Sequence, residues 1–331
     1  GAGADTLIGG SGADTLVGAA GADAMSGGDG SDSYYVDDPG DLVAETNAVL
    51  ASGGNDTVYS YLAAYTLTSH VENLQILATG AANGTGNSLN NSLYAGAGNN
   101  LLDGGSGTDA VLYTYATSPV SVSLAITGAQ ATAGSGIDSL TSIESLYGSA
   151  FNDTLTGDAN ANTIDGGAGA DTMSGGGASD IYYVDNVGDI VTETSADLAA
   201  GGIDSVYSTL LAYTLPSHVE KLRILTGGVA NGTGNNLDNF LYAGAGGNVL
   251  DGGGGTDTLS YFYATGAVSV SLNVLGPQVT GASGSDTLIN IENLYGGAFD
   301  DTLSGDANPN RLDGGAGADT LIGGSGADTL V

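Results

Sequence analysis

Short three-residue runs with an apolar residue in the middle recur along the chain at intervals of nine residues. Thr15-Leu16-Val17 is one such run and Ser33-Tyr34-Tyr35 is another. This alternation predicts short β-strands whose middle residue points to one face while its neighbours point to the other. A three-residue strand cannot bury its apolar residue alone, whereas stacked copies can. The pattern therefore predicts a solenoid.

Longer stretches with fewer glycines separate these runs and also alternate apolar with polar residues. They lie at 56–60, 71–77 and 120–124, with counterparts at 204–208, 219–225 and 268–272. We expect them to continue the same parallel solenoid with larger turns and not to form a separate domain. Helical patterns are scarce: residues 49–51 and 197–200 favour a single turn at most.

A glycine-rich phrase, Gly-Gly-Xaa-Gly-Xaa-Asp, precedes the short strands. Full nine-residue copies run from Gly9 to Val17, from Gly27 to Tyr35 and from Gly323 to Val331. Glycines at the first, second and fourth places permit positive φ angles and bring carbonyl oxygens close to a common point. The aspartate adds a carboxylate oxygen there. Such hard oxygen ligands suit calcium better than zinc or magnesium.

This phrase, repeated at constant spacing and followed by a strand, resembles the nonapeptide of the RTX (repeats-in-toxin, haemolysin-type) calcium-binding proteins. The resemblance implies an all-β fold, a right-handed parallel β-roll or β-solenoid with about 18 residues per turn, in which calcium ions lie between loops one turn apart. The alternative is a metal-free solenoid in which the glycines and aspartates only form turns.

The resemblance also implies the ligands, because each sixth-position side chain pairs with its counterpart one turn later. The implied pairs are Asp5 with Asp23, Asp14 with Asp32, Asp23 with Asp41, Asp153 with Asp171, Asn162 with Asp180, Asp171 with Asp189, Asp301 with Asp319 and Asn310 with Asp328. Asn91 with Asp109 and Asn239 with Asp257 are weaker, because an amide replaces one carboxylate. The implied glycine ligands are Gly10, Gly12, Gly28, Gly30, Gly167, Gly169, Gly315, Gly317, Gly324 and Gly326.

The charge balance changes the picture of how the chain folds. Among 331 residues there are 37 acidic and 3 basic ones, which gives a formal net charge of −34, and 41% of the residues are hydrophobic. Carboxylates stacked along a solenoid repel one another until a cation lies between them. We therefore expect several calcium ions to supply part of the folding free energy. Nucleic acid and anionic membrane surfaces are unsuitable partners for such a chain.

The sequence also bears on location. The chain has no cysteine, which excludes disulfides and zinc–thiolate sites. It contains no apolar stretch long enough to span a membrane. Loops that bind calcium weakly would be filled at the millimolar concentrations found outside cells. The resemblance implies export from a Gram-negative bacterium, so we expect an extracellular or cell-surface location.

A longer period of 148 residues overlies the nonapeptides. The segment Tyr34 to Asp37 returns as Tyr182 to Asp185, and residues 1–17 are identical to residues 315–331. We therefore predict a first unit at 1–148, a homologous unit at 149–296 and the start of a third at 297–331. The expected partners are calcium ions and either further repeats of a longer chain or copies of this chain stacked end to end.

Catalytic chemistry is not indicated. The two histidines, His70 and His218, occupy equivalent His-Val-Glu segments that do not match a zinc-protease motif, so a loop or packing role is favoured. Recurring tyrosines favour packing over sugar binding or stacking between solenoids. The predicted function is a non-enzymatic, calcium-stabilised extracellular structural protein: a segment of a surface layer, matrix filament or large adhesin. Two alternatives remain: an RTX export and folding tail of a secreted enzyme or toxin, and an ice- or glycan-binding solenoid.

Overall fold

The computed structural model describes residues 1–45, 53–194 and 201–331. It consists of two compact units, Gly1–Ser174 and Gly175–Val331. All helices and strands assigned within the described residues are β-strands, which confirms the all-β prediction. The helical turns expected at 49–51 and 197–200 lie outside the described residues. No described segment forms an apolar helix of membrane-spanning length.

The strands of the first unit are short, most of them three to six residues long. In chain order they are Thr6–Ser11 (β1), Thr15–Val17 (β2), Ala24–Asp29 (β3), Ser33–Val36 (β4), Leu42–Ala44 (β5), Thr57–Ser60 (β6), Ala64–Thr66 (β7), Asn73–Ile76 (β8), Ala82–Thr85 (β9), Ser92–Tyr94 (β10), Asn100–Asp103 (β11), Ala110–Leu112 (β12), Ser121–Ser123 (β13), Gln130–Ala133 (β14), Gly136–Thr141 (β15), Ser145–Tyr147 (β16), Thr154–Thr156 (β17), Thr163–Asp165 (β18) and Thr172–Ser174 (β19).

The first unit winds as a parallel solenoid. One sheet has the order β2-β4-β6-β8-β10-β12-β16-β18, and opposite strands such as β1, β3 and β5 form shorter sheets. The pairing of Thr15 with Ser33 gives a turn of 18 residues. Ser33 pairs with Thr57, so the next turn is longer, as expected for the stretches between nonapeptides. The predicted parallel β-solenoid is therefore confirmed.

The core of this unit is a column of in-register apolar side chains. Leu16 pairs with Tyr34 and Tyr34 with Val58, and the exposed fractions of the three side chains are 3%, 0% and 0%. Each lies inside an alternating strand whose neighbouring residues point to the opposite face. Burial of such residues is the main favourable term in folding, and no single coil achieves it alone.

One pair of strands departs from the parallel arrangement. Strands β14 and β15 pair antiparallel, with a register shift between Ala131 and Ala133. Strand β13, in the predicted stretch 120–124, still pairs in parallel with β17. The antiparallel pair is an excursion that returns to the solenoid, because β15 also pairs in parallel with β11.

The second unit is built in the same way. Its strands are Ile181–Val184 (β20), Ile190–Thr192 (β21), Ser205–Ser208 (β22), Ala212–Thr214 (β23), Lys221–Ile224 (β24), Asn231–Thr233 (β25), Phe240–Tyr242 (β26), Val249–Asp251 (β27), Thr258–Ser260 (β28), Ser269–Ser271 (β29), Gln278–Gly281 (β30), Gly284–Ile289 (β31), Asn293–Gly297 (β32), Thr302–Ser304 (β33), Arg311–Gly315 (β34), Thr320–Ile322 (β35) and Thr329–Leu330 (β36).

Its longest run of paired strands is β20-β22-β24-β26-β28-β32-β34-β36, and β30 and β31 repeat the antiparallel excursion. Tyr182, Val206 and Leu222 form a column with no exposure, equivalent to the column in the first unit. The three domains predicted from the 148-residue period stay a prediction, because the two compact units describe packing and not the sequence repeat.

Candidate metal sites

The loops that join the strands carry a ladder of acidic side chains. The backbone N–H of Asp5 donates to Oδ1 of Asp23 at 2.7 Å, and that of Asp23 donates to Oδ1 of Asp41 at 2.9 Å. On the other loop column of the same turns, the N–H of Asp14 donates to Oδ1 of Asp32 at 2.7 Å. Each carboxylate is therefore held against the loop one turn before it.

The same contact joins the other candidate pairs within each unit. It occurs in the pairs Asn91 with Asp109, Asp153 with Asp171, Asn239 with Asp257, Asp301 with Asp319, and Asn310 with Asp328, at distances of 2.6 to 3.0 Å. The pairs Asn162 with Asp180 and Asp171 with Asp189 each take one residue from each unit, and they stay predictions.

The second carboxylate oxygen of several aspartates is buried and unpaired. Oδ2 of Asp14, Asp23, Asp32, Asp109 and Asp257 has no hydrogen-bond partner and essentially no contact with solvent. A buried charged oxygen without a partner costs considerable free energy. No lysine or arginine lies within hydrogen-bond distance of these oxygens to offset the cost. These oxygens therefore fit a bound cation.

The first glycine of the phrase leaves space for the carboxylate. A β-carbon added to Gly18 would lie 2.0 Å from Oδ2 of Asp23. One added to Gly9 would lie 2.5 Å from Oδ2 of Asp14 and 2.8 Å from the carbonyl oxygen of Gly27, one turn later. The expected positive φ is wrong at this place, because neither Gly9 nor Gly27 adopts it. Glycine is needed there because two oxygens approach its α-carbon, and not because of its backbone angle.

The second and fourth glycines do adopt positive φ. All ten candidate glycine ligands have φ between 76° and 153°: Gly10, Gly12, Gly28, Gly30, Gly167, Gly169, Gly315, Gly317, Gly324 and Gly326. Their loops also stack closely, since a β-carbon on Gly28 would lie 2.2 Å from the carbonyl oxygen of Gly10. Both constraints exclude other residues, and together they place carbonyl oxygens between successive loops.

Some candidate carboxylates are fully hydrogen-bonded and so differ from those described above. Oδ1 of Asp301 accepts from the backbone N–H of Val268 at 2.8 Å, and Oδ2 accepts from that of Gly297 at 2.7 Å. Asp153 has equivalent contacts with Val120 and with the Ser149 hydroxyl. These two carboxylates are stabilised by protein donors, and the need for a cation is smaller there.

In loops that carry asparagine at the sixth position, the side-chain amide itself makes hydrogen bonds to the surrounding backbone. The side-chain amide of Asn91 donates to the carbonyl oxygens of Val71 and Glu72, both at 3.1 Å, while its Oδ1 accepts from the N–H of Asn87 at 2.7 Å. Asn239, Asn162 and Asn310 bond in the same sense. An N–H donor thus satisfies carbonyl oxygens that would otherwise be available to a cation.

The ladder also contains acidic residues that are not related to the other ladder residues by the nine-residue spacing. The N–H of Asp32 donates to Oδ1 of Asp56 at 2.7 Å, and the N–H of Asp56 donates to Oε2 of Glu72 at 2.9 Å. Asp109 contacts Glu144 in the same way at 2.8 Å. Asp56 stands two residues before the buried Val58, which is the signal that would have identified it in the sequence. Glu72 and Glu144 belong to no phrase.

Two groups of three carboxylates lie where the longer turns join the ladder. Ligand oxygens of Asp32, Glu45 and Asp56 all lie within 4.8 Å of one another, and all three residues are buried. The group formed by Asp180, Glu193 and Asp204 is its equivalent in the second unit. Glu45 and Glu193 follow no glycine phrase, so the repeat pattern does not reveal them.

Burial dominates the electrostatics of these acids. Desolvation, together with the charges of Glu45, Glu72 and Asp32, raises the pKa of Asp56 to about 7. The same causes raise the pKa of Asp204 to about 7, and burial raises that of Asp257 to about 6. Without a cation these groups are held partly in the protonated form near neutral pH. A divalent ion would reverse this preference.

Comparison with known proteins agrees with this geometry. The family model described as the RTX calcium-binding nonapeptide repeat (4 copies) matches residues 1–34, 85–112, 147–182, 233–261 and 295–330. A search of curated proteins found no match. The matched segments contain glycine loops with the ladder and include Asp32 and Asp180, whereas Glu45, Asp56, Glu193 and Asp204 lie outside them.

Proposed function

The chain carries RTX calcium-binding nonapeptide repeats, and on this premise we propose that it is a calcium-stabilised structural repeat protein located outside the cell or on its surface. The observation that carries the proposal is the ladder of buried carboxylates whose second oxygens have no protein partner, as at Asp14, Asp23 and Asp32. Cations that neutralise such a ladder stabilise the folded chain.

Calcium would act here as a link between successive turns. Carbonyl oxygens of the glycine loops and the aspartate Oδ2 atoms provide hard oxygen ligands, and bound calcium would neutralise the repulsion between stacked acids. A site filled to ten times its dissociation constant adds about 1.4 kcal/mol to the free energy of unfolding. Several such sites together add more to the free energy of unfolding than one site does, so the stability of the folded chain would depend strongly on calcium.

An extracellular structural role follows from the same physics. Millimolar calcium would fill weak sites outside the cell, and the parallel turns provide a repetitive scaffold. We propose a segment of a surface layer, matrix filament or adhesin, with self-association between copies as part of that role. A non-enzymatic role is part of the proposal, and it is supported by the engagement of His70 and His218 in loop contacts with backbone carbonyls.

Calcium titration of the purified chain tests this function. Circular dichroism in chelator should show a weaker β signal and a lower thermal midpoint than in calcium, and millimolar calcium should restore both with a sigmoidal dependence on concentration. Magnesium at the same concentration serves as the control, because it keeps its hydration shell more firmly. Identical spectra in chelator and in calcium would refute calcium-dependent folding. Sedimentation of the calcium-loaded chain over a range of concentrations would test self-association separately.

A further inference from the structure

The groups around Glu45 and Glu193 differ from a nonapeptide loop in their composition. A nonapeptide loop contributes one carboxylate from each of two turns, whereas here a third carboxylate enters from a residue after β5 or β21. Asp32, Glu45 and Asp56 are 1%, 5% and 1% exposed. Three like charges at such distances repel strongly when they are buried.

Unpaired oxygens point into these groups. Oδ2 of Asp32 has no hydrogen-bond partner and essentially no solvent contact. It borders the same small space as the Tyr34 hydroxyl, because a β-carbon added to Gly27 would lie 2.0 Å from the first oxygen and 2.2 Å from the second. The Tyr34 hydroxyl in turn donates to Oε1 of Glu45. Oδ2 of Asp32 therefore faces the side of the glutamate.

The second unit repeats this observation with different atoms. Oδ2 of Asp204 and Oε2 of Glu193 are both buried and have no hydrogen-bond partner. Asp204 is 0% exposed and Glu193 is 5% exposed. The Tyr182 hydroxyl donates to Oε1 of Glu193, as Tyr34 does to Glu45. The same arrangement thus occurs twice, 148 residues apart.

Neighbouring residues hold the glutamate in position. The Nδ1 atom of His70 is 3.0 Å from the carbonyl oxygen of Glu45, and His218 makes the same contact with Glu193 at 3.1 Å. Both histidines have φ near 70°, in the left-handed region that costs an L-residue more free energy than glycine. A strained backbone on a residue that holds a buried acid indicates that the position of this acid matters.

We propose that Asp32, Glu45 and Asp56 form a three-carboxylate calcium site and that Asp180, Glu193 and Asp204 form a second, and that the nonapeptide phrase encodes only the first carboxylate of each. The ligands are oxygens only, which selects calcium over zinc. The combined charge of three carboxylates exceeds that of a two-aspartate loop, so these sites bind calcium more tightly than the glycine loops. Tyr34, Tyr182, His70 and His218 are positioning residues.

The number of calcium ions bound per chain tests the proposal directly. Equilibrium dialysis of the full chain against radioactive calcium should show one ion fewer for Glu45→Gln, and two fewer for the double variant Glu45→Gln, Glu193→Gln. Glutamine preserves size and removes the charge. The matched control is Asp37→Asn with Asp185→Asn, which removes two exposed charges 148 residues apart and should leave the number of bound ions unchanged.

The outcomes separate this proposal from calcium binding by the repeats. Loss of two ions with the remaining ions retained supports the three-carboxylate sites. An unchanged stoichiometry in the folded double variant overturns them while calcium binding by the repeats stands. Absence of calcium binding in the wild type would instead refute the function proposed above.

A second measurement uses the unmodified chain, in case the variants do not fold. Crystals grown with terbium in place of calcium should give anomalous difference peaks among Asp32, Glu45 and Asp56, and at the equivalent place in the second unit. Peaks confined to the glycine loops would overturn the proposal. This result does not depend on the stability of any variant.

Discussion

The side-chain amide of Asn310 donates a hydrogen bond to the carbonyl oxygen of Glu292 at 2.8 Å, across one turn of the second unit. An aspartate at position 310 would instead place a carboxylate oxygen against that carbonyl. Two acceptors at hydrogen-bond distance repel each other unless a cation lies between them. This contact therefore separates loops closed by an amide from loops that need an ion.

The variant Asn310→Asp should convert an amide-closed loop into a calcium-dependent one. The substitution removes the donor to the carbonyl oxygen of Glu292. In chelator, the free energy of unfolding of the variant should therefore be about 1–3 kcal/mol below that of the unmodified chain. Millimolar calcium should restore most of this loss. Urea unfolding with and without chelator measures both effects.

The control for this variant is Ala307→Asp, which adds one negative charge at an exposed position of the same loop. It should change the unfolding free energy by less than about 0.5 kcal/mol in either condition. If calcium stabilised Ala307→Asp as much as Asn310→Asp, the effect would come from general screening of charge, and the role assigned to the Asn310 amide would be wrong.

The first glycine of the phrase should tolerate no side chain. In Gly27→Ala the added methyl group collides with the Asp32 carboxylate and the Tyr34 hydroxyl, at a cost of about 1–3 kcal/mol. The midpoint of thermal unfolding should fall by about 2–4 °C for each kcal/mol. Gly128→Ala is the matched change, because nothing lies within 4 Å of its β-carbon. Equal melting temperatures for the two variants would contradict the steric argument.

The left-handed backbone of His70 predicts an unusual order of variants. His70→Gly and His70→Ala both lose the contact with the carbonyl of Glu45, but only alanine keeps the backbone strain at φ 70°. His70→Gly should therefore be more stable than His70→Ala by about 1 kcal/mol, in spite of the greater flexibility of glycine in the unfolded chain. Denaturant midpoints in calcium measure the difference, and the reverse order would show that this backbone angle is not retained.

The raised pKa values of Asp56 and Asp204, both about 7, predict opposite effects of pH with and without calcium. Their pKa in the unfolded chain is about 3.9. Without calcium, these groups contribute stability that is complete below about pH 4 and is lost as the pH rises through about 7, because the charged forms are then buried. Denaturant midpoints in chelator should therefore fall between pH 5 and pH 8.

Calcium should reverse this trend, because only deprotonated carboxylates bind it. The calcium concentration at half saturation should decrease from pH 5 to pH 8, as followed by circular dichroism. A chain that became more stable at pH 8 in chelator would show that these two carboxyl groups are not buried in the unliganded state.

The sequence alone was sufficient for the regular part of this protein. The strands at Thr15–Val17 and Ser33–Val36, their parallel pairing and the contact between Asp14 and Asp32 all follow from one spacing repeated without interruption. In a solenoid with turns of constant length, a residue lies against its counterpart one turn away. Counting residues therefore identifies neighbours in space.

Only the tertiary structure identified the contacts that cross turns of other lengths. Asp56 is 24 residues from Asp32, Glu72 is 16 residues from Asp56, and Glu144 is 35 residues from Asp109, so no single period relates these acids. The sequence marked the Asn91 and Asn239 pairs as weaker, but it did not show that their amides donate to carbonyl oxygens. These differences depend on which donor or acceptor lies opposite each side chain in the folded chain. Once the length of the turn varies, the spacing of the repeat no longer identifies which residue that is.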